Sequence, residues 1–265
     1  MASSRSPLPN EKRTPRAASG RRLKLIVAYD GTSFCGWQSQ ARGDSIQDRI
    51  EAAFVQVTGE QIRVHGAGRT DAGVHALGQC AHVDLPPTRL DPGVLASALN
   101  ASLPPQIRVL RCEFVSLAFH ARFSARGKVY RYRIASTVVL SPFELGRAWH
   151  VTGALNDKSL RACAREFVGK HDFTGFAANR GHPVESTVRT LHRVRVQRTS
   201  SSTTIEFDGD GFLYKMVRLM VGAIVRCGLN KTSIAEVQAS LLNGAPAESR
   251  LVAPADGLTL VRVRY

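Results

Sequence analysis

The sequence predicts an α+β fold in which two ferredoxin-like (RRM-like) lobes share a mostly antiparallel sheet around a central cleft. The predicted elements of the first half follow the order β-α-β-β-α-β, which is typical of a ferredoxin-like unit. Those of the second half follow the order β-α-β-β-α-α-β, which repeats that architecture with one additional helix. A chain of 265 residues is also long enough for two domains of ordinary size. Because a cleft between two such lobes is a common place for a ligand, we expect the functional site there.

Hydrophobic periodicity and capping residues define the elements of the first half. Residues 23–29 form a buried strand that ends at an Asp-Gly turn pair. Ser45 and Asp48 have the spacing of a capping box, and the apolar residues after them fall on one helical face. Asp91 and Pro92 are suited to the N-cap and the first position of a second helix. The remaining predicted strands are 62–65, 79–85 and 107–115.

The second half is interpreted in the same way. Side chains alternate between two faces over residues 128–135, which predicts a strand. Two helices end at Gly169 and Gly228, since glycine adopts the backbone conformation that closes a helix. Ser233 and Glu236 form a further capping box. The predicted helices are 158–168, 213–227 and 233–242, and the other strands are 187–196, 203–207 and 257–265.

The charge balance indicates a polyanionic partner. The chain has 36 Lys and Arg against 21 Asp and Glu, a formal net charge of +15, which favours nucleic acid. Basicity that serves only solubility is the alternative, and charge does not distinguish RNA from DNA. Residues 1–22 are rich in Ser, Pro and Arg, so we expect a disordered basic tail there, although a transit peptide to an organelle has a similar composition. The two lobes are then predicted at residues 23–118 and 119–265.

The sequence argues against a membrane or secreted protein. No apolar run approaches the ~18 residues that a membrane span requires, and no signal-peptide core is visible. The five cysteines are odd in number and contain no CxxC pair, which indicates free thiols in a reducing compartment. We therefore expect a cytoplasmic protein.

The segment 66–76, GAGRTDAGVHA, is the most promising candidate site. Three glycines within eight residues allow the backbone to approach a ligand closely, and Arg69 and Asp71 lie between them. One interpretation is a turn in which Asp71 caps its own backbone. The other is a loop that presents an ionised carboxylate to a cleft, which requires a nearby cation. Arg218, within an apolar helix, is either a surface arginine with an extended side chain or that cation.

A metal site is a further alternative for this region. Its ligands would be His65, Asp71, His75, Cys80 and His82. Their spacing matches no metal-binding motif of known specificity, so the sequence favours a site without metal.

Tyr130 lies in the segment 126–132, RGKVYRY, where aromatic and basic residues alternate. A strand tyrosine is commonly a core residue. The same alternation, however, is what stacking on a base and contact with phosphate require.

Several of these segments, in this order along the chain, resemble the tRNA pseudouridine synthase A (TruA) family. The resemblance extends from about residue 23 to residue 265, and its most specific part is GRTDAGVH. The matching segments are YDG at 29–31, GWQ at 36–38, AGRTDAGVH at 67–75, FHARFS at 119–124, YRY at 130–132, MVR at 216–218, VG at 221–222 and GL at 257–258.

The resemblance implies isomerisation of uridine to pseudouridine in the anticodon stem-loop of tRNA, at positions 38–40, with the target base flipped out. It implies that Asp71 is the nucleophile, that Arg218 pairs with it, and that Tyr130 stacks on the base and can accept its proton. Whether Asp71 attacks C1′ of the ribose or C6 of the base stays open. The resemblance also implies a homodimer without cofactor or metal. The residues that it assigns to substrate binding are Arg69, Arg122, Tyr130 and Leu258.

Two other classes of function remain as alternatives. One is a non-catalytic RNA-binding protein built from two ferredoxin-like units. The other is a metal hydrolase that uses His65, His75 and His82. Segments 136–156 and 176–186 carry no motif, so the tRNA positions are less firmly predicted than the reaction.

Overall fold

The computed structural model describes residues 20–41, 43–87, 90–178, 181, 185–246 and 250–265. Most of the predicted tail, residues 1–19, lies outside these described residues. The first strand begins at Arg21, two residues before the predicted start of the first lobe.

The strands are, in chain order, β1 (Arg21–Tyr29), β2 (His65–Gly66), β3 (His75–Leu85), β4 (Ile107–Val115), β5 (Gly127–Ala135), β6 (Trp149–His150), β7 (Gly169–Asp172), β8 (Val188–Arg198), β9 (Ser202–Gly209) and β10 (Leu258–Arg264). The α-helices are α1 (Ile46–Thr58), α2 (Pro92–Ser102), α3 (Asp157–Glu166), α4 (Met216–Gly228) and α5 (Ile234–Asn243).

Over the described residues these strands form one sheet. Its order is β4-β1-β3-β10-β5-β9-β8-β7, with β2 paired to β3 and β6 paired to β5. The β3–β10 and β5–β6 pairs are parallel, and the other pairs are antiparallel. This confirms the predicted α+β fold with a mostly antiparallel sheet. The last strand, β10, lies between β3 and β5 and so joins the two halves of the chain.

The predicted N-caps form, whereas the two predicted glycine C-caps do not: α3 ends at Glu166 and is capped by Phe167, and Gly228 is the last residue of α4. The Ser45 hydroxyl accepts a hydrogen bond from the backbone N–H of Asp48, and the Asp48 carboxylate accepts one from the backbone of Ser45. The same reciprocal box opens α5, and Asp91 caps α2. These bonds satisfy backbone donors that have no partner inside the helix, so the helix starts follow from local sequence.

The structure corrects the boundaries of several elements. The predicted strand 62–65 is paired only from His65, because the backbone N–H of Val64 donates to the Glu51 carboxylate instead of to a strand. Strand β3 begins four residues earlier than predicted, at His75, where it pairs with β10. Helix α4 begins at Met216, three residues later than predicted, because Lys215 has the left-handed φ of 57°.

Two short strands, β6 and β7, were not predicted. Their partners are distant in sequence: β6 pairs with β5, and β7 pairs with β8. A strand of two to four residues has no periodicity that a sequence could reveal.

Helix α4 is the most buried helix described. Ten of its thirteen residues are buried. Gly222 allows the backbone of Leu251 to approach the helix closely, because a Cβ at this position would overlap the Leu251 carbonyl oxygen. The segment after Leu251 therefore runs directly beside the first turn of α4, where the Ala253 N–H donates to the Arg218 carbonyl. None of the helices in the described ranges is long and apolar enough to cross a membrane.

Candidate active site

A cleft of about 1020 Å³ opens where the two halves meet. The loop before β3, strand β5, the start of α4 and the start of β10 all contribute to its walls. All six residues predicted from the sequence as catalytic or substrate-binding line it: Arg69, Asp71, Arg122, Tyr130, Arg218 and Leu258.

Asp71 and Arg218 form an ion pair inside this cleft. Nη1 of Arg218 lies 3.1 Å from Oδ2 of Asp71, and the two side chains are 15% and 20% exposed. Nε of Arg218 donates to the Ala253 carbonyl at 2.7 Å. A cation in the first turn of a helix is opposed by the helix dipole, so these two acceptors stabilise it there. Arg218 is therefore the counter-charge of Asp71 and not an arginine extended towards solvent.

The backbone around Asp71 is fixed by close packing against a second loop. Gly36 has a φ of 102°, and a Cβ at this position would lie 2.6 Å from the Thr70 carbonyl oxygen. The Trp37 N–H donates to that carbonyl at 3.1 Å. The Thr70 hydroxyl and the buried Tyr29 hydroxyl are 2.8 Å apart, and burial raises the pKa of Tyr29 above its ordinary value. The loop conformation that holds Asp71 is thus set through contacts with Thr70, the residue before it.

Arg69 is held by a chain of side-chain hydrogen bonds. Its Nε donates to Gln38 at 3.0 Å, and the Gln38 amide donates to Gln47 at 2.9 Å. The Gln47 amide in turn donates to Glu51 at 2.8 Å. In the sequence Gln38 is visible only as part of the GWQ segment at 36–38. The structure shows that it anchors one edge of the Arg69 guanidinium.

Tyr130 lies on the wall of the cleft, packed against an aromatic residue that the sequence analysis did not select. The rings of Tyr130 and Phe212 are 5.0 Å apart and meet edge to face. Leu258 lies nearby on β10, opposite Tyr132. Phe212 immediately precedes the turn into α4, and no local pattern distinguishes it from an ordinary core residue.

Arg122 and an exposed aromatic ring lie together on the same cleft. Phe123 is 76% exposed, and the Arg122 guanidinium lies 5.5 Å from its ring centre. The ring centre of His120 lies 4.3 Å from that of Phe123. An exposed aromatic residue beside a cation is a common means of stacking on an unpaired base.

The residues of the alternative metal site make other contacts. His65 and His82 stack at 5.0 Å, and burial with the nearby Arg22 charge lowers the pKa of His82 to about 4. The His75 ring accepts from a backbone N–H on one side and lies 2.9 Å from a backbone carbonyl on the other. Burial raises the pKa of Cys80 to about 11. Within the described residues no group of three or more His, Cys, Asp or Glu is arranged to hold a metal ion.

The cleft is strongly electropositive. Asp71 is its one acidic lining residue among those described, whereas its basic lining residues number seven: Arg63, Arg69, Arg122, Lys128, Arg189, Lys215 and Arg218. Because Asp71 is paired with Arg218, the remaining cations face the cleft without a carboxylate among its described lining residues. Such a surface attracts a polyanion.

A profile of the family described as tRNA pseudouridine synthase matches residues 25–124 and 163–265. The chain belongs to the tRNA pseudouridine synthase family. It is therefore an isomerase. Membership of an enzyme family argues against the alternative of a non-catalytic RNA-binding protein. The two matched ranges contain Asp71 and Arg218, whereas Tyr130 lies between them.

Several curated members of this family are similar to the chain over nearly its whole length. The tRNA pseudouridine synthase A of Akkermansia muciniphila is 46% identical over 253 residues, which cover 92% of this chain and 95% of the relative. That of Methylacidiphilum infernorum is 42% identical over 242 residues, with 91% and 94% covered. Among solved structures, an H/ACA RNP bound to a substrate RNA containing 2′-deoxyuridine aligns with 90% of this chain at 10% identity and a TM-score of 0.34. The chain spans 46% of that structure's chain, a likeness too low to assign a function.

Proposed function

We propose that this synthase isomerises uridine to pseudouridine in the anticodon stem-loop of tRNA, at positions 38–40, with Asp71 as nucleophile. The observation that carries the proposal is the ion pair between Asp71 and Arg218 in a cleft whose other described charged residues are all cationic. The cations suit an RNA backbone, and the one carboxylate suits the chemical step.

The reaction sets the requirements for this cleft. The C1′–N1 bond of uridine breaks, the uracil turns, and a C1′–C5 bond forms. C5 then loses its proton, and N1 gains one, so no oxidant, reductant or water is consumed. A base stacked in an RNA helix cannot be reached, so the target nucleotide must be flipped out at a cost of a few kcal/mol. Contacts between phosphates and the basic cleft offset that cost.

Asp71 is suited to be the nucleophile of this reaction. A carboxylate can add covalently to a sugar or a base and thereby divide one difficult step into two easier ones. Attack on C1′ and attack on C6 are both compatible with its position. Arg218 balances the carboxylate charge in a partly dry site and, through its bond to Ala253, holds it at the cleft wall.

The other residues then have roles in holding the nucleotide. Tyr130, whose ring packs edge to face against Phe212 at the cleft wall, stacks on the flipped uracil. Its phenolic oxygen can accept the proton from C5. Arg69 holds the flipped nucleotide, and Arg122 contacts the RNA at the cleft beside the exposed Phe123. Leu258 provides an apolar contact for the base.

We also propose that the sheet consists of two ferredoxin-like lobes at residues 23–118 and 119–265. The first half places its strands in the order β4-β1-β3-β2, and the second in the order β10-β5-β9-β8. When the short strands β6 and β7 are set aside, this is in both halves the fourth, first, third and second strand of a β-α-β-β-α-β unit. The cleft then lies at the junction formed by β3, β10 and β5.

A homodimer is supported by an apolar surface. Four large hydrophobic residues of one segment are at least 73% exposed, which is unfavourable for a monomer in water. They are Val138, Val139, Phe143 and Leu145. We propose that this surface contributes to the dimer, and that the enzyme works in the bacterial cytoplasm, where unpaired cysteines remain reduced. Sedimentation of Phe143→Glu as a monomer, with the parent sedimenting as a dimer, is the expected result.

Release of tritium from tRNA labelled with [5-³H]uridine tests the reaction. The parent enzyme should release tritium, and Asp71→Ala should release none. Asp44→Ala is a matched control, because Asp44 is paired with Arg49 on the half-exposed surface and should keep full activity. A silent parent enzyme, or an active Asp71→Ala variant, would overturn the proposal. Mapping pseudouridine in tRNA with and without the gene then tests the positions.

A further inference from the structure

Lys128 occupies a place in the cleft that the proposed chemistry does not use. It lies on β5 two residues before Tyr130, so both side chains point to the same face of the sheet. Its Nζ donates to the Ala67 carbonyl at 3.0 Å. It also lies over Gly68, where an added Cβ would be 2.6 Å from Nζ. The ammonium therefore touches the loop that carries Asp71.

Two further cations line the same cleft and act on this ammonium. Arg122 comes from the loop before β5, and Arg189 comes from β8. Burial, together with the charges of Arg122 and Arg189, lowers the pKa of Lys128 to about 8. Over the described residues, the structure gives Lys128 no ion pair with a carboxylate.

Three cations from three elements are costly to hold together. Like charges repel one another, and the half-buried ammonium also loses part of its hydration. Arg189 donates to the Ser186 and Val188 carbonyls, which orients its guanidinium but supplies no negative charge. The arrangement becomes favourable once an anion enters the cleft.

We propose that Lys128, Arg122 and Arg189 form a subsite for the RNA backbone phosphate next to the flipped uridine. This inference rests on the proposed tRNA substrate. A neutral uracil offers these three cations no counter-charge, whereas a phosphodiester brings one negative charge that all three can share. Lysine binds phosphate as a point charge, and the planar arginine fork binds it through two parallel hydrogen bonds.

The hydrogen bond from Lys128 to Ala67 also links the phosphate subsite to the loop that carries Asp71. One of the three ammonium N–H groups is used by the Ala67 carbonyl, four residues before Asp71. A phosphate held by the same ammonium is thereby fixed relative to the carboxylate. The subsite positions the nucleotide and takes no part in bond making, so Lys128 is a positioning residue.

Binding of tRNA measured over a range of salt concentrations tests the subsite. For Lys128→Gln we expect roughly tenfold weaker affinity, as for loss of one charge-assisted hydrogen bond. The slope of log affinity against log salt should also fall by about 1, since one phosphate contact is lost. Lys128→Arg should retain most of the affinity. Lys158→Gln removes the same charge from an exposed position on helix α3, outside the cleft, and should change neither quantity.

A chemically altered RNA locates the contact. We would use anticodon stem-loops in which a neutral methylphosphonate replaces one phosphate beside the target uridine, on its 5′ or its 3′ side. One of the two should weaken binding to the parent enzyme more than binding to Lys128→Gln, because the contact between Lys128 and that phosphate is already absent from the variant. If the affinity lost through Lys128→Gln and the affinity lost through the methylphosphonate simply add at both phosphates, the assignment is overturned. So would unchanged affinity and salt slope in Lys128→Gln, provided that its thermal unfolding matches the parent.

The two proposals fail separately in this design. If the parent enzyme forms pseudouridine but Lys128→Gln binds like the parent, only the subsite is wrong. If binding depends on Lys128 but no pseudouridine is formed, the proposed reaction is wrong and the phosphate subsite stands.

Discussion

The Arg218 guanidinium contacts the Asp71 carboxylate at 3.1 Å across 147 residues of chain. The arginine is delivered by the first turn of buried helix α4, and the aspartate by a loop that enters β3. Neither group can be neutralised until both halves of the chain are folded. Because the pair is largely shielded from water, loss of one partner leaves an uncompensated charge, which is far more costly than loss of an exposed pair.

We therefore expect Arg218→Ala to impair turnover much more than tRNA binding. Single-turnover rates should fall roughly 100-fold or more, as for loss of one preorganised electrostatic partner, whereas affinity should change little. Arg218→Lys should be intermediate, because it keeps the charge but loses the bond from Nε to Ala253. If affinity falls as severely as turnover, Arg218 is mainly a phosphate contact.

Tyr130→Phe separates the ring of this residue from its hydroxyl. The edge-to-face contact with Phe212 survives the change, so affinity for tRNA should be maintained. If the hydroxyl accepts the C5 proton, tritium release in a single turnover should slow roughly 100-fold, within the usual contribution of general base catalysis.

Tyr132→Phe is the matched control, two residues further along β5. Its hydroxyl donates to the Pro254 carbonyl. The control should lose about 1 kcal/mol of unfolding free energy, the usual contribution of one hydrogen bond, and keep its rate. An unchanged rate in Tyr130→Phe would exclude the phenol from proton transfer.

Local chemistry explains which parts of the fold were predictable. Capping boxes, Asp91-Pro92 and alternating strands depend on residues within a few positions of each other, and β4 was predicted with its observed boundaries. One error, the late start of α4, comes from the left-handed backbone of Lys215, and others lie where distant residues decide the structure. Strand β3 extends to His75 because β10, nearly 200 residues later, pairs with it.

The residues of the candidate site also divide into those that the local sequence identifies and those that only the tertiary structure identifies. Asp71 and Arg218 were found because a carboxylate among glycines and a cation among apolar residues each require a partner. Lys128 and Phe212 were missed, since a lysine in a strand and a phenylalanine before a helix are ordinary on their own. Only tertiary structure shows that Lys128 lies over Gly68 without a carboxylate partner in the described residues.

Gly36→Ala should destabilise the enzyme and displace the loop that carries Asp71. The new Cβ would lie 2.6 Å from the Thr70 carbonyl, at a φ of 102° that alanine rarely adopts. We expect a loss of about 3 kcal/mol or more in unfolding free energy, from backbone strain and overlap together. Gly43→Ala has a φ of 68° with nothing within 4 Å of the added Cβ, so it should cost only about 1 kcal/mol. If urea unfolding shows that both variants lose the same unfolding free energy, the overlap with the Thr70 carbonyl is relieved without strain.

The affinity for tRNA should fall as pH rises above about 8. The pKa of Lys128 is lowered to about 8 in the free enzyme, chiefly by burial and then by Arg122 and Arg189. Below this pH the ammonium is charged and binds phosphate. A bound phosphate raises the pKa of Lys128, so binding takes up a proton between the two pKa values. In that interval affinity should decline by up to tenfold per pH unit.

Replacing the titrating group isolates its contribution to this profile. The Arg264–Asp208 pair lies on the opposite face of the sheet from Lys128. The charged or titratable residues that line the cleft with Lys128 are Arg63, His65, Arg69, Asp71, His120, Arg122, Tyr130, Arg189, Tyr214, Lys215 and Arg218. The arginines keep their charge throughout this range. Lys128→Arg also carries a charge that does not titrate here, so its affinity should be level from pH 7 to 9.5 while that of the parent falls. A parallel decline in both would assign the pH dependence to another group or to the RNA.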